Sequence, residues 1–360
     1  MKTIDRFITR EFARNFIYAT LILVFLYIII DLFEDLGKFI EKNVAVISLV
    51  KYYALISPYY IVLLMPVGAL MATFLVLGFM TRYREVIALK SAGVSVWRLF
   101  MPILGIGIAL VVGSFIFNET ITVRANHKFA EVKTIEIDKR PKPSQRIRRN
   151  FFYYGENDRI FYIRQLGAAE GELFNFVIWE LGPKQRIKKR FDADLAKWQN
   201  TVWTAYRVTV REFLADTAEK ITRHDSLRLE DISEKPVDFM KEVKPLDQAN
   251  VLELANFIRR KKKAGDDASK EKVELNYRIS FPFINLILLL LGFPLSLILR
   301  KGGVAFGIGL GLLFAFTYWG LIQTFRAYGV ANVVNPILAA WIPNAVFLAA
   351  GIILLVTTRK

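Results

Sequence analysis

The sequence predicts an α-helical membrane protein with six transmembrane helices, three before and three after an inserted all-β domain. Three observations carry this. The 360-residue chain is 54% hydrophobic with a mean hydropathy of +0.34, more apolar than a soluble chain of its length. Its charges are segregated: residues 15–30, 52–81, 99–118, 279–299, 302–325 and 336–358 contain no Asp, Glu, Lys or Arg. Between the two groups of apolar runs lie short segments rich in aromatic and β-branched residues, separated by turn chemistry.

The first apolar run is too long and unbroken for a signal peptide, and no small-residue cleavage site follows it. A first span is predicted over residues 14–36. Asp31, Glu34, Asp35 and Lys38 follow at i, i+3, i+4 and i+7, so one helix face carries them, with Lys38 available to pair Glu34. They fit an interfacial helix end, or a proton relay if they lie within the membrane. Residues 52–81 form a second span, which Pro58 and Pro66 should kink. Residues 99–118 form a third, after which the sequence turns polar at Glu119.

The polar middle reads as strands at 150–154, 159–166, 173–181, 186–194, 202–213 and 220–229. A sandwich, a jelly roll or an open barrel all fit. Residues 246–263 then carry apolar positions at 251, 254, 255 and 258, a helical stripe, and a second helical stretch, 269–278, leads into the fourth span. That span, 279–299, contains Pro282 and Pro294; the turn Arg300-Lys301 joins it to the fifth. The expected domains are 1–118, 119–245 (β), 246–278 (helical connector) and 279–360. The N-terminus, the 81–98 loop, Arg300-Lys301 and the C-terminus are all basic, which places them in the cytoplasm and the β domain outside.

The net charge of +16 in a chain dominated by spans points to anionic lipid and not to nucleic acid. With no cysteine there is no disulfide, thiol nucleophile, Fe–S cluster or thiolate zinc site. The one Gly-Lys pair, Gly37-Lys38, has Leu32 where a phosphate-binding loop needs glycine, so the chain does not hydrolyse ATP by itself. His127 and His224 stand alone in polar sequence as surface residues. No catalytic constellation, metal site or cofactor is expected.

Three features remain. Gly303, Gly307 and Gly311 repeat at four-residue spacing, which suits close helix packing, either within this chain or at a subunit seam that opens. Basic clusters at 140–149 (with Arg146, Arg148 and Arg149), 186–190 and 259–263 read as solvated surface or as sites for phosphorylated headgroups. Residues 81–100 form a basic amphipathic segment in which Glu85, Ala88, Leu89 and Ala92 share a helix side ending at Gly93. Arg82 could pair with Glu85. An interfacial helix anchored by Trp97 and a helix docking into a cytosolic partner both fit.

Residues 84–99 (REVIALKSAGVSVWRL) and the run Leu254, Ile258, Gly265, Asp267, Glu274-Leu275, Arg278 and Pro282, with the ending Ala340-Trp341-Ile342-Pro343-Asn344, resemble the lipopolysaccharide-export permeases of the LptF/LptG type. The resemblance covers the whole chain. It implies a jelly-roll-like β domain in the periplasm and an inner-membrane permease that extracts lipopolysaccharide. Its implied partners are a homologous permease half, a cytosolic LptB-like ATPase dimer that binds the ATP and magnesium, and a periplasmic LptC/LptA-like jelly-roll protein. It also implies lateral gates at the first and fifth spans and a coupling helix over 82–98. Arg84, Glu85, Leu89, Ala92 and Gly93 would engage the ATPase. The opening Asp5-Arg6-Phe7 leans toward the G type. The first span departs from that type, keeping Lys38 but placing Asp31 upstream and Gly37 beside it. A lipoprotein-release or mechanotransmitting permease is the alternative, disfavoured by the three-plus-three layout.

Overall fold

The computed structural model of the chain describes residues 3–140, 148–155, 158–167, 171–182, 186–199, 201–213, 219–240, 246–263, 266–298 and 303–357. The chain divides into a helical unit, Met1–Lys133 with Ser269–Lys360, and a β unit, Thr134–Ala268.

The helical unit begins with α1 (Thr3–Glu41) and α2 (Val46–Arg82). They pack closely where Gly68 meets Thr20; a Cβ on Gly68 would lie 3.3 Å from the Thr20 backbone. α2 runs unbroken through Pro58 and Pro66. The short α3 (Glu85–Ser91) leads to α4 (Val96–Phe117). The sequence change at Glu119 does not end that helix. A π-turn at Asn118–Thr122, then α5 (Val123–Val132) and a second π-turn at Lys133–Ile137 carry it on, so helix spans Val96–Ile137. No glycine or proline lies between Gly113 and Pro141, so nothing in the backbone stops it.

The fourth expected span is broken. α8 (Ser269–Ser280) and α9 (Phe283–Ile298) meet at a 48° bend over Phe281-Pro282. Pro282 has no N–H for Arg278 O, and at the bend Ile284 N donates to Phe281 O, so Ser280 O is left without its helical donor. Asn344 Nδ2 donates to Ser280 O at 2.8 Å, and Asn285 Nδ2 donates to Pro282 O at 3.0 Å and to Ser114 Oγ at 3.2 Å. α10 (Gly303–Val330) and α11 (Pro336–Thr357) complete the unit. Asn335 caps α11, its Oδ1 accepting from Ile337 N, with Pro336 at the first helical position. Among the described residues, five helices are long and apolar enough to cross a membrane, or six with the bent pair taken as one span. The Arg300-Lys301 turn lies outside the described residues.

The β unit holds β1 (Arg148–Tyr154), β2 (Arg159–Gly167), β3 (Glu172–Leu181), β4 (Ile187–Gln199), β5 (Val202–Phe213) and β6 (Glu219–Leu229). All six predicted strands are present. They form one antiparallel sheet in chain order. One face is buried under the segment that follows, where α6 (Pro236–Met240) carries Phe239. Phe239 stacks edge-on against Tyr153, Phe161 and Trp203, and Trp203 Nε1 donates to Glu234 O at 2.7 Å.

Strict alternation would bury every second residue of a strand. Here it slips by one along a single line. Buried positions run Phe161, Ile163, then Leu166; Leu173, then Phe176, Ile178; Trp203, Ala205, then Val208, Val210. The slip falls at Arg164, Asn175 and Arg207, and the ladder pairing skips Asn150, Arg164, Asn175, Asp194, Arg207 and Asp225 alike. These six polar residues lie opposite one another across the whole sheet. Asn150, Asn175 and Arg207 have left-handed φ of 50°, 47° and 54°. The crease lets the residues on both sides of it bury the same face.

After the sheet, α7 (Val251–Lys263) starts with a reciprocal cap: Glu253 N donates to Asn250 Oδ1, and Asn250 N donates to Glu253 Oε2. Its Leu254 and Ile258 are buried, as the helical stripe requires.

Asn175→Val puts a β-branched residue at positive φ and should cost about 1–2 kcal/mol, while Asn175→Gly should be near neutral. Denaturant midpoints of the two variants check this. Lys189 Nζ lies 2.8 Å from Glu212 Oε1, its cross-strand partner. This pair raises the Lys189 pKa and lowers that of Glu212. Its small contribution is therefore present at neutral pH. It is lost as pH falls through the lowered Glu212 range, and again as pH rises through the raised Lys189 range. The difference in denaturant midpoint between the parent and Glu212→Gln should thus shrink on acidification; a constant difference would refute the assignment.

Candidate functional site

The α3 segment is bracketed by two left-handed residues. Arg84, with φ 61°, precedes it, and Gly93, with φ 81°, follows it. At the end of α3, Val94 N donates to Leu89 O at 2.9 Å and Gly93 N to Lys90 O at 3.0 Å, the paired closure that a left-handed residue allows. The positive φ is natural for Gly93 and costs Arg84 about 1–2 kcal/mol.

Val86 is buried and Leu89 half-buried, in a cluster with Ile8 and Phe12 of α1, Leu77 and Met80 of α2, and Leu99 of α4. Glu85, Ala88, Lys90 and Ala92 are exposed, as are Tyr83, Ile87 and Trp97 nearby. Leu89 therefore packs toward the helices, apart from the outward face of Glu85, Ala88 and Ala92. Among the described residues Glu85 has no ion-pair partner, Arg82 included. Arg98 Nη2 lies 3.6 Å from Asp5 Oδ2 and ties the start of α4 to α1. The segment thus offers one carboxylate on a small apolar surface, held on a rigid bracket.

At the other end of α1, Lys38 Nζ lies 2.5 Å from Asp35 Oδ1, so its partner is Asp35 and not Glu34. Glu34 is exposed. Asp31 accepts from Tyr53 at 3.0 Å and Tyr60 at 3.2 Å, both on α2. Its carboxylate joins two helices.

Gly303 and Gly307 lie on α10. The third glycine, Gly311, packs on α2: a Cβ there would lie 2.8 Å from Phe74 Cε2 and 3.1 Å from Leu70 Cδ2. Its smallness serves packing within this chain. Of the basic candidates, Arg146 lies outside the described residues, Arg148 opens β1 opposite Leu166, and Arg149 is exposed opposite Gln165.

A cluster that sequence reasoning did not single out lies where α4, α8 and α10 meet. Arg278 Nη1 is 3.6 Å from Glu119 Oε1, and Arg278 Nε is 3.5 Å from Glu274 Oε1. Arg326 Nη2 pairs with Glu274 Oε2, and its guanidinium carbon stands 4.8 Å from the Tyr277 ring centroid. Glu274 and Arg278 are 9% and 7% exposed. The signal available was the Glu274/Arg278 i,i+4 spacing and the lone charge at Arg326. Among the described residues, no group of three or more His, Asp or Glu could hold a metal ion.

The apolar helices and the inserted β unit define a multi-span membrane protein. Residues 6–357 match the family described as lipopolysaccharide export system permease LptF/LptG. The chain belongs to this family, whose members are non-catalytic permease subunits. Comparison with individual curated proteins returns no match.

Gly311→Val should lower stability by about 1–3 kcal/mol through overpacking against Phe74. A Cβ at Gly309 meets nothing within 4 Å, so Gly309→Ala should be tolerated. Thermal unfolding in detergent separates the two.

Proposed function

We propose that this chain is one half of an inner-membrane permease that extracts lipopolysaccharide and passes it to a periplasmic bridge toward the outer membrane. The family match over residues 6–357 carries the reading. In it, six spans lie three on each side of the β unit, with both termini in the cytoplasm. The chain pairs with a homologous half, and a cytosolic LptB-like ATPase dimer supplies the energy. The β unit acts as a periplasmic jelly-roll-like domain and hands lipid to an LptC/LptA-like partner by strand pairing at a sheet edge. The proposed division is 1–118 for three spans, 119–245 for the β domain, 246–278 for its connector and 279–360 for three more.

Glu85 is the proposed contact with the ATPase, supported by its exposure and its lack of an ion-pair partner among the described residues. A carboxylate hydrogen-bonded to a donor of the partner contributes about 1.5–3 kcal/mol, roughly tenfold to a hundredfold in coupling. Force delivered to α3 reaches α1, α2 and α4 through the cluster that holds Val86 and Leu89.

The test is ATP-driven release of lipopolysaccharide from proteoliposomes holding both permease halves and the ATPase. Glu85→Ala should cut release by about tenfold or more while the helical unit stays folded. Undiminished release would remove Glu85 from the coupling path; no release by the parent complex would remove the transport reading itself.

A further inference from the structure

α10 is held differently along its length. Tyr318, Ile322, Arg326 and Gly329 repeat every three or four residues and share one face. Tyr318 is 1% exposed, stacks on Phe347 at 4.2 Å between centroids, and donates its hydroxyl to Asn344 Oδ1 at 2.8 Å. Ile322 is buried. Arg326 pairs with Glu274 and covers Tyr277. A Cβ on Gly329 would lie 2.7 Å from Ala339 Cβ of α11 and 2.7 Å from Val273 Cγ2 of α8. Residues 303–317 differ. Among the described residues, no hydrogen bond or ion pair ties them to another helix, and Gly311 meets only apolar side chains of α2.

The charges explain why the Arg326 end should stay in place. Glu119, Arg278, Glu274 and Arg326 balance as two acids and two bases. Withdrawing Arg326 would leave a net negative cluster around the buried Glu274 and Arg278, and an uncompensated buried charge is costly. Shear at the apolar contacts of Gly311 leaves no polar group unpaired.

We propose that Glu274 is a positioning residue that, through Arg326, makes the 318–330 half of α10 one rigid block with α8 and α11, so that α10 moves relative to them only in its 303–317 half. Its importance for transport rests on the function proposed above: nucleotide-driven change would tilt α10 about its Arg326 end.

The experiment measures spin-label distances in the full chain, which contains no native cysteine. One pair, Tyr328→Cys with Ile337→Cys, reports the Arg326 end; the other, Phe306→Cys with Ile353→Cys, reports the opposite end. All four side chains are exposed. In detergent, the first distance distribution should be narrow and the second broad. Equal widths would overturn the proposal. Glu274→Gln should broaden the first distribution. Adding Arg326→Gln should broaden it no further, because the tie is already lost, whereas independent packing roles of the two residues would add their broadening. In the assembled complex, nucleotide should shift the Phe306–Ile353 distance only; a shift at Tyr328–Ile337 would overturn the proposal. Lipopolysaccharide release by Glu274→Gln should fall roughly tenfold and fall no further in the double variant. Failure of the parent complex to release lipid sinks the transport reading alone, since the distances in the isolated chain still decide whether the block is rigid.

Discussion

A bilayer core offers a polypeptide no hydrogen bonds, so each backbone carbonyl that leaves a helical ladder there must find a donor inside the protein. The bend between α8 and α9 shows how such a need is met within the helical unit. Asn344 answers Ser280 O, and Asn285 adds its side-chain amide to the backbone N–H it already gives Pro282 O. Meeting the need fixes neighbours as well. Asn344 is itself oriented by Tyr318, which draws α10 and α11 together, and Asn285 reaches Ser114 on α4. One proline thus recruits three other helices. The ion cluster of Glu119, Glu274, Arg278 and Arg326 joins α4 and α10 to the same broken span.

The sheet meets a parallel problem by backbone conformation. A strand that keeps strict alternation presents one face throughout. The crease at residues 150, 164, 175, 194, 207 and 225 resets that alternation on every strand. Polar residues suit the line because their ladder partners are missing there, and asparagine tolerates the left-handed φ better than most. Arg207 has no such ease, yet it holds Asp194 at 2.9 Å across the crease. The apolar face continues from one side to the other without a gap.

Much of this was legible in the chain. Charge-free runs marked the long apolar helices, and the turn residues marked all six strands. The continuation of α4 to Ile137 was not, because the onset of charge at Glu119 ends an apolar run without ending a helix. β4 was predicted to stop at Asp194, but Lys197 extends it by pairing with Glu172 at 2.7 Å. The outward face of Glu85, Ala88 and Ala92 was read from helical spacing, while the inward turn of Leu89 depended on neighbours distant in sequence. Lys38 had two acids within reach, and only rotamers could decide for Asp35. The ion cluster was hidden for the same reason: Arg326 lies 52 residues from Glu274, and no local pattern connects them.

The hydrogen bond from Asn344 to Ser280 O also bears on how the protein is made. Its two residues are 64 positions apart, so Asn344 on α11 is synthesised well after the carbonyl it serves. Alone, α9 has 16 residues, a rise of about 24 Å, short of the roughly 30 Å hydrocarbon core. α9 alone therefore falls short of a span, and until α11 is made the Ser280 carbonyl lacks its Asn344 donor. Only when α11 emerges and docks can that bond form. α11 thus completes a bend whose two arms are already made.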